Sequence, residues 1–315
     1  MNSVRDALER FQALVYVLAI ALAAAWGLWG GASGLDAAIN PALAFMLYVT
    51  FLQVPVAELR AIWRHGRFVA ALLVTNFVAI PLLVWGLSWL LPSDPLVRLG
   101  VLLVLLAPCI DYVVTFAHMG KADSRLLLAC TPMLLLMQML LLPVYLHALL
   151  GEQAAALVRA EPFVEALVSL IVVPLLLAWA TQRWAAQSVK GQRASQYLGL
   201  LPVPATALVL WLVVASVIPQ LDAASEAVWQ VLPVYVAFAV LAPVIAWRLA
   251  KAFGLAAPAA RAVAFSGSTR NALVVLPLAL AVPGAMPVLP VVIVTQTLVE
   301  LVSELIYVQR IAKLQ

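Results

Sequence analysis

Glu300 lies near the middle of the last long apolar stretch of the chain, Val288–Ile311. Cys109 and Asp111 sit midway along another such stretch, and Arg270 and Asn271 midway along a third. An ionisable group inside hydrocarbon costs roughly 2.5–3.5 kcal/mol on insertion scales. Each therefore needs a partner, a proton, an ion or a water-filled cavity. Carboxyl, thiol and guanidinium groups at comparable depth can grip a solute and exchange protons or ions with it, which makes them candidates for a path through a membrane.

Gln296, Glu300 and Glu304 follow at i, i+4 and i+8, with Ser303 and Tyr307 alongside. On a helix that spacing draws one polar line. Glu300 is the deeper carboxylate, and it is either a proton carrier or one half of a static salt bridge to Arg270. Glu304 is nearer the end of the stretch and reads as solvated. Cys109 follows Pro108 and precedes Asp111. Two residues apart on an intact helix, thiol and carboxylate point away from each other; in a broken segment they converge. One thiol among oxygen and nitrogen ligands favours a soft species and binds it reversibly. Cys130, in a leucine-rich run, reads as an inert small hydrophobe. Arg270 is suited to a carboxylate, whether of Asp111, Glu300 or a substrate. His65, His118 and His147 lie near span ends, and no metal-type Cys/His spacing, phosphate loop, Ser-His-Asp set or HExxH motif is present. An intramembrane enzyme or a sensor would want such a motif or a signalling domain, so that class is disfavoured.

The elements that must position these groups follow from composition. Of 315 residues, 66% are hydrophobic and 10% charged, with a mean hydropathy of +1.09. Soluble domains are nearer half apolar, so the chain reads as an all-α integral membrane protein. Spans of about 20 residues are needed to cross a bilayer. Ten fit: Phe11–Gly31, Ala37–Val56, Phe68–Leu91, Leu96–Ala117, Leu126–Leu150, Phe163–Ala180, Leu198–Ile218, Val228–Leu249, Ala259–Val282 and Met286–Ile311. The polar start Met1–Arg10 and the length of the first span argue against a cleavable signal. Of the 18 lysines and arginines, all but Arg98, Arg159 and the intramembrane Arg270 fall on one side. The positive-inside rule then puts both termini in the cytoplasm. This bias accounts for the net charge of +4 without nucleic acid. The two cysteines imply no disulfide framework.

Ten spans divide into two five-helix repeats, 1–155 and 156–315, and an odd number per half makes the second inverted. The fourth span carries Ala107-Pro108-Cys109, and the ninth carries Ser266-Gly267-Ser268-Thr269-Arg270-Asn271 with Pro277 beyond. Matched interruptions of this kind point to a transporter binding site, although ordinary proline kinks would look similar one at a time. N-termini of half-helices attract anions, and freed carbonyls and C-terminal ends attract cations.

These residues resemble the bile acid/sodium symporter superfamily, and within it the arsenite efflux permeases. The likeness extends over the ten spans. It is strongest in Leu106-Ala107-Pro108-Cys109, in Phe265–Ala281 and in Leu298-Val299-Glu300. The stretch Phe51-Leu52-Gln53-Val54-Pro55 looks like prokaryotic members. The resemblance implies discontinuous fourth and ninth helices crossing in a core domain beside a panel domain. It implies that Cys109 contacts arsenite and that Glu300 exchanges protons. Ser266 stands where the bile acid branch typically has a glutamate in its sodium motif. Asn271-Ala272-Leu273-Val274-Val275 lacks the acid of the corresponding arsenite-permease stretch.

The expected function is proton-coupled efflux of arsenite or antimonite by alternating access; the alternative is sodium- or proton-coupled transport of a small organic anion. Cys109, Asp111, Arg270 and Asn271 are the substrate-binding candidates, with Cys109 the metalloid ligand. Glu300, Gln296, Ser266 and Thr269 are the ion-coupling candidates. No cofactor is expected beyond H+ or Na+, and no partner beyond a small substrate and the lipid of a bacterial inner membrane; the oligomeric state stays open.

Overall fold

A computed structural model describes residues 7–8, 11–30, 34–53, 65–155, 164–165, 167–220, 224–280, 282 and 284–315. Gly31, Val54, Pro55, Val56, Arg159 and Phe163, on which parts of the sequence reading rest, lie outside the described residues, and the 155/156 boundary abuts them.

The described residues are helical, without a strand. In chain order the helices are α1 Gln12–Leu28, α2 Asp36–Phe51, α3 Gly66–Ser88, α4 Pro95–Leu105, α5 Val113–Met119, α6 Ser124–Ala155, α7 Val173–Gln187, α8 Val189–Leu198, α9 Pro202–Val217, α10 Ser225–Ala252, α11 Ala257–Ser268, α12 Ala272–Leu280 and α13 Val288–Arg310. Every expected span contains helix. By length and composition alone, four helices can cross a membrane: Gly66–Ser88, Ser124–Leu150, Ser225–Ala252 and Val288–Lys313. A fifth arises if α8 and α9, bent by 43° at their break, count together. The expected fourth and ninth spans are each two short helices, α4 with α5 and α11 with α12, so neither passes a test for one long apolar helix.

The chain packs into two compact units, each with a segment from either side of residue 155. The first takes Met1–Val56 and Ala160–Ala223, the second Ala57–Arg159 and Ala224–Gln315. In the first, α9 packs on α1 and α2, and α7 packs on α2. Tyr48 and Thr181 share a hydroxyl hydrogen bond of 2.9 Å, and Gln182 Nε2 donates to the carbonyls of Phe51 and Leu52 at the end of α2.

In the second unit α13 packs against α4, α10 and α12, and α11 lies against α10 and α3. Helix α13 is amphipathic in the sense a bilayer demands. Leu298, Val302, Leu305 and Ile306 are exposed on one face, while Gln296, Glu300, Glu304 and Tyr307 are buried on the other. Leu82 and Trp85 of α3, Trp89 just past its end, and Val236 and Val240 of α10 are likewise exposed. Apolar surface this extensive is costly in water and is what lipid covers. Glycine permits two close approaches between these helices. A Cβ at Gly100 of α4 would stand 2.9 Å from Val292 Cγ1 of α13, and one at Gly267 of α11 would stand 2.6 Å from Ala246 Cβ of α10.

Candidate functional site

The second unit is organised around two helix breaks that meet. Helix α4 ends at Leu105 with Pro108 three residues on, and a proline supplies no amide to continue a helical ladder. Helix α11 ends at Ser268, and Thr269 is extended. Pro108 and Arg270 form an isolated antiparallel bridge. Cys109 N donates to Thr269 O at 3.0 Å, and Asn271 N donates to Ala107 O at 2.8 Å. Each break thus satisfies main-chain groups that the other exposes, as unwound backbone within a membrane requires.

On one side of this crossing Cys109 and Asp111 converge. Cys109 Sγ donates to Asp111 Oδ1 at 3.0 Å, and that oxygen also accepts from Tyr112 N at 2.5 Å. Asp111 Oδ2 is buried without a hydrogen-bond partner among the described residues. Tyr112 OH donates to Glu300 Oε1 at 2.5 Å and lies 3.4 Å from Arg270 O. Glu300 Oε2 accepts from Arg270 N and from Gln296 Nε2, both at 2.7 Å. Tyr112 therefore touches both groups, its main-chain amide holding the Cys109–Asp111 pair and its hydroxyl, across the ring, reaching Glu300 and Gln296.

The static pairing of Glu300 with the Arg270 guanidinium is not what forms; the main-chain amide of Arg270 reaches Glu300 instead. The guanidinium, 0% exposed, donates to Leu105 O (3.3 Å), Asn76 Oδ1 (3.0 Å) and Ser266 O (2.6 Å). Its carbon lies 5.5 Å from the centre of the Phe238 ring, within cation–π range. Among the described residues none of its hydrogen bonds goes to Asp111 or Glu300.

Glu304 differs from its expected solvated state, since it is 0% exposed. Helix α13 lies against the break of α11 along its polar line, which carries Glu304 inward. Thr269 Oγ1 lies 2.5 Å from Glu304 Oε1 and 2.7 Å from Phe265 O. Among the described residues Glu304 Oε2 and Gln296 Oε1 have no hydrogen-bond partner. A small cavity bordered by Leu105, Ser268, Gln296, Glu300 and Tyr307 is sized for about one water molecule. Tyr307 OH donates to Ala239 O.

The remaining candidates sit at the same crossing. Asn271 Oδ1 accepts from Val274 N and Asn271 Nδ2 donates to Gln138 Oε1, both at 3.4 Å, so this residue anchors the start of α12 to α6. Ser266 Oγ accepts from Asn76 Nδ2 at 2.9 Å. Asn76, Tyr112 and Gln138 were not among the sequence candidates. Asn76 lies on a π turn, Thr75–Ala79, that interrupts α3, and such turns often mark functional positions. A signal was available, because a lone carboxamide in an apolar span also needs partners.

A family model described as Sodium Bile acid symporter family matches residues 40–227. No curated protein matches the chain. The matched stretch contains Asn76 and the Cys109 break and stops short of Arg270 and Glu300.

Proposed function

On the premise that the chain belongs to the Sodium Bile acid symporter family, whose members are membrane transporters, we propose that it is a secondary active transporter exporting arsenite or antimonite in exchange for protons. The observation that carries this reading is the gathering of Cys109, Asp111 and Glu300, both carboxyls bonded to Tyr112, at the meeting of two broken helices. Interrupted helices of this kind form the solute and ion sites of secondary transporters.

The substrate engages the Cys109 thiol and the unpartnered Oδ2 of Asp111, with Asn271 fixing the adjoining backbone. Among the described residues three carboxyl groups, Asp111, Glu300 and Glu304, are buried together with one guanidinium, Arg270. That excess of acid disfavours an anionic solute and suits arsenite, which near neutral pH is mainly an uncharged trihydroxide. Expelling a neutral solute against its gradient requires a coupled ion. Glu300 carries the proton, steadied by Gln296, and Thr269 and Ser266 support the ninth-span backbone beside it. Ten spans as two inverted repeats, 1–155 and 156–315, both termini cytoplasmic and a bacterial inner-membrane location belong to the same proposal. The family description carries the alternative, cation-coupled movement of a small organic anion.

The test compares Cys109→Ser with Cys130→Ser in everted vesicles. Loss of a thiol contact worth ~1.4 kcal/mol lowers affinity about tenfold. The expected result is impaired arsenite accumulation in Cys109→Ser alone. Equal accumulation in both variants, or accumulation of an organic anion and not arsenite, contradicts the substrate assignment.

A further inference from the structure

The Arg270 guanidinium stands at a place with the chemistry of a metal-cation site. Ser266 and Leu105 belong to the C-terminal turns of α11 and α4. In a continuous helix Ser266 O would accept from Arg270 N, and Leu105 O from Cys109 N. Both amides are diverted by the breaks, Arg270 N to Glu300 Oε2 and Cys109 N to Thr269 O. The carbonyls left over lie at the negative ends of two half-helices. Asn76 Oδ1, held in place by its amide bonds to Leu72 O and Ser266 Oγ, completes a set of three oxygens. The Phe238 ring covers the group from another side. Freed carbonyls and half-helix C-termini are the groups with which secondary transporters bind coupling cations. Here the positive charge among them is part of the chain.

We propose that the Arg270 guanidinium is a tethered cation standing in for a dissociable one, so that this member of a sodium symporter family binds no sodium at its helix crossing. The consequence for coupling rests on the transporter reading above; the binding claim does not. A permanent charge on a covalent tether cannot be released to either side of a membrane, so it holds the two breaks together through the transport cycle without being carried. The ion that moves is then bound elsewhere and is not sodium; on the reading above it is the proton on Glu300. Asn76 and Ser266 are on this account positioning residues for the guanidinium.

The experiment is thermal unfolding of the purified full chain in detergent, in sodium, lithium, potassium or choline chloride at equal ionic strength. Wild type is expected to unfold at the same temperature in all four salts. Arg270→Ala is expected to unfold at a lower temperature and to recover part of the loss in sodium, lithium or guanidinium chloride at low concentration, but not in choline. Arg270→Lys, which keeps a tethered charge, is expected to stay insensitive to sodium. A sodium-specific rise in the wild-type unfolding temperature overturns the proposal, and so does a folded Arg270→Ala that responds to none of these cations. If Arg270→Ala does not fold, wild type and Arg270→Lys decide: insensitivity of both supports the proposal, and a sodium response in either overturns it. Arsenite flux is not part of this readout, so a wrong substrate assignment leaves the result intact.

Discussion

Asn76 provides one acceptor to the Arg270 guanidinium and two donors, to Leu72 O and Ser266 Oγ. Truncating it leaves a buried charged donor and a buried hydroxyl short of a partner, at a cost of about 1–3 kcal/mol. Asn76→Ala is therefore expected to lower the unfolding temperature clearly, and Asn76→Asp, which keeps the acceptor, to lower it less. Scanning fluorimetry of the three proteins checks the order, and an Asn76→Ala protein as stable as wild type contradicts it. At this scale the sequence was informative wherever charge met hydrocarbon. Asp111, Arg270 and Glu300 stood out because each is costly in an apolar span, and Cys109 because it lies between Pro108 and Asp111. Asn76, Tyr112 and Gln138 did not, since neutral polar groups raise a weaker alarm and their partners lie far away in sequence. The sequence left the partner of Arg270 open because it depends on the backbone conformation at the break: the extended bridge turns the amide of Arg270, not its guanidinium, toward Glu300.

Between elements, Gly267 sets the distance from α11 to its neighbours. A Cβ there would meet Ala246 Cβ at 2.6 Å and Thr75 Cγ2 at 2.9 Å. Overpacking of this sort costs about 1–3 kcal/mol. Gly267→Ala is expected to destabilise the protein, with Ala246→Gly in the same chain restoring part of the loss because it removes the closest contact; no restoration in a thermal-unfolding comparison would contradict the packing. The break of α4 was legible from Pro108 and that of α11 from its run of small and polar residues, Ser266 to Thr269. The π turn in α3 was not, because Phe68–Leu91 reads as one continuous apolar span whether its ladder is regular or slips by a residue. The inward position of Glu304 escaped for a related reason. Depth counted along one helix says nothing of what packs against it, and the break of α11 buries a carboxyl that linear position would leave wet.

For the molecule as a whole, the proposed ten-span reading puts most basic residues on one side. A reporter active only in the cytoplasm should therefore be active when fused after Gln315 and inactive when inserted at Ser93, in the segment between α3 and α4; the reverse pattern would overturn the orientation. Composition made the membrane class evident, and the matched interruptions made the paired helix breaks evident. The partition into compact units could not be read from chain order, because each unit joins segments from both halves. The central claim is that a proton on Glu300 is exchanged for solute engaged at Cys109 and Asp111. It is tested most directly in proteoliposomes of purified protein by measuring arsenite movement under an imposed pH gradient, in wild type and in Glu300→Gln, which keeps the shape of the side chain and removes its exchangeable carboxyl proton. The account predicts gradient-driven arsenite movement in wild type and none in Glu300→Gln. Equal movement in the two proteins, or wild-type movement that ignores the pH gradient, would contradict it.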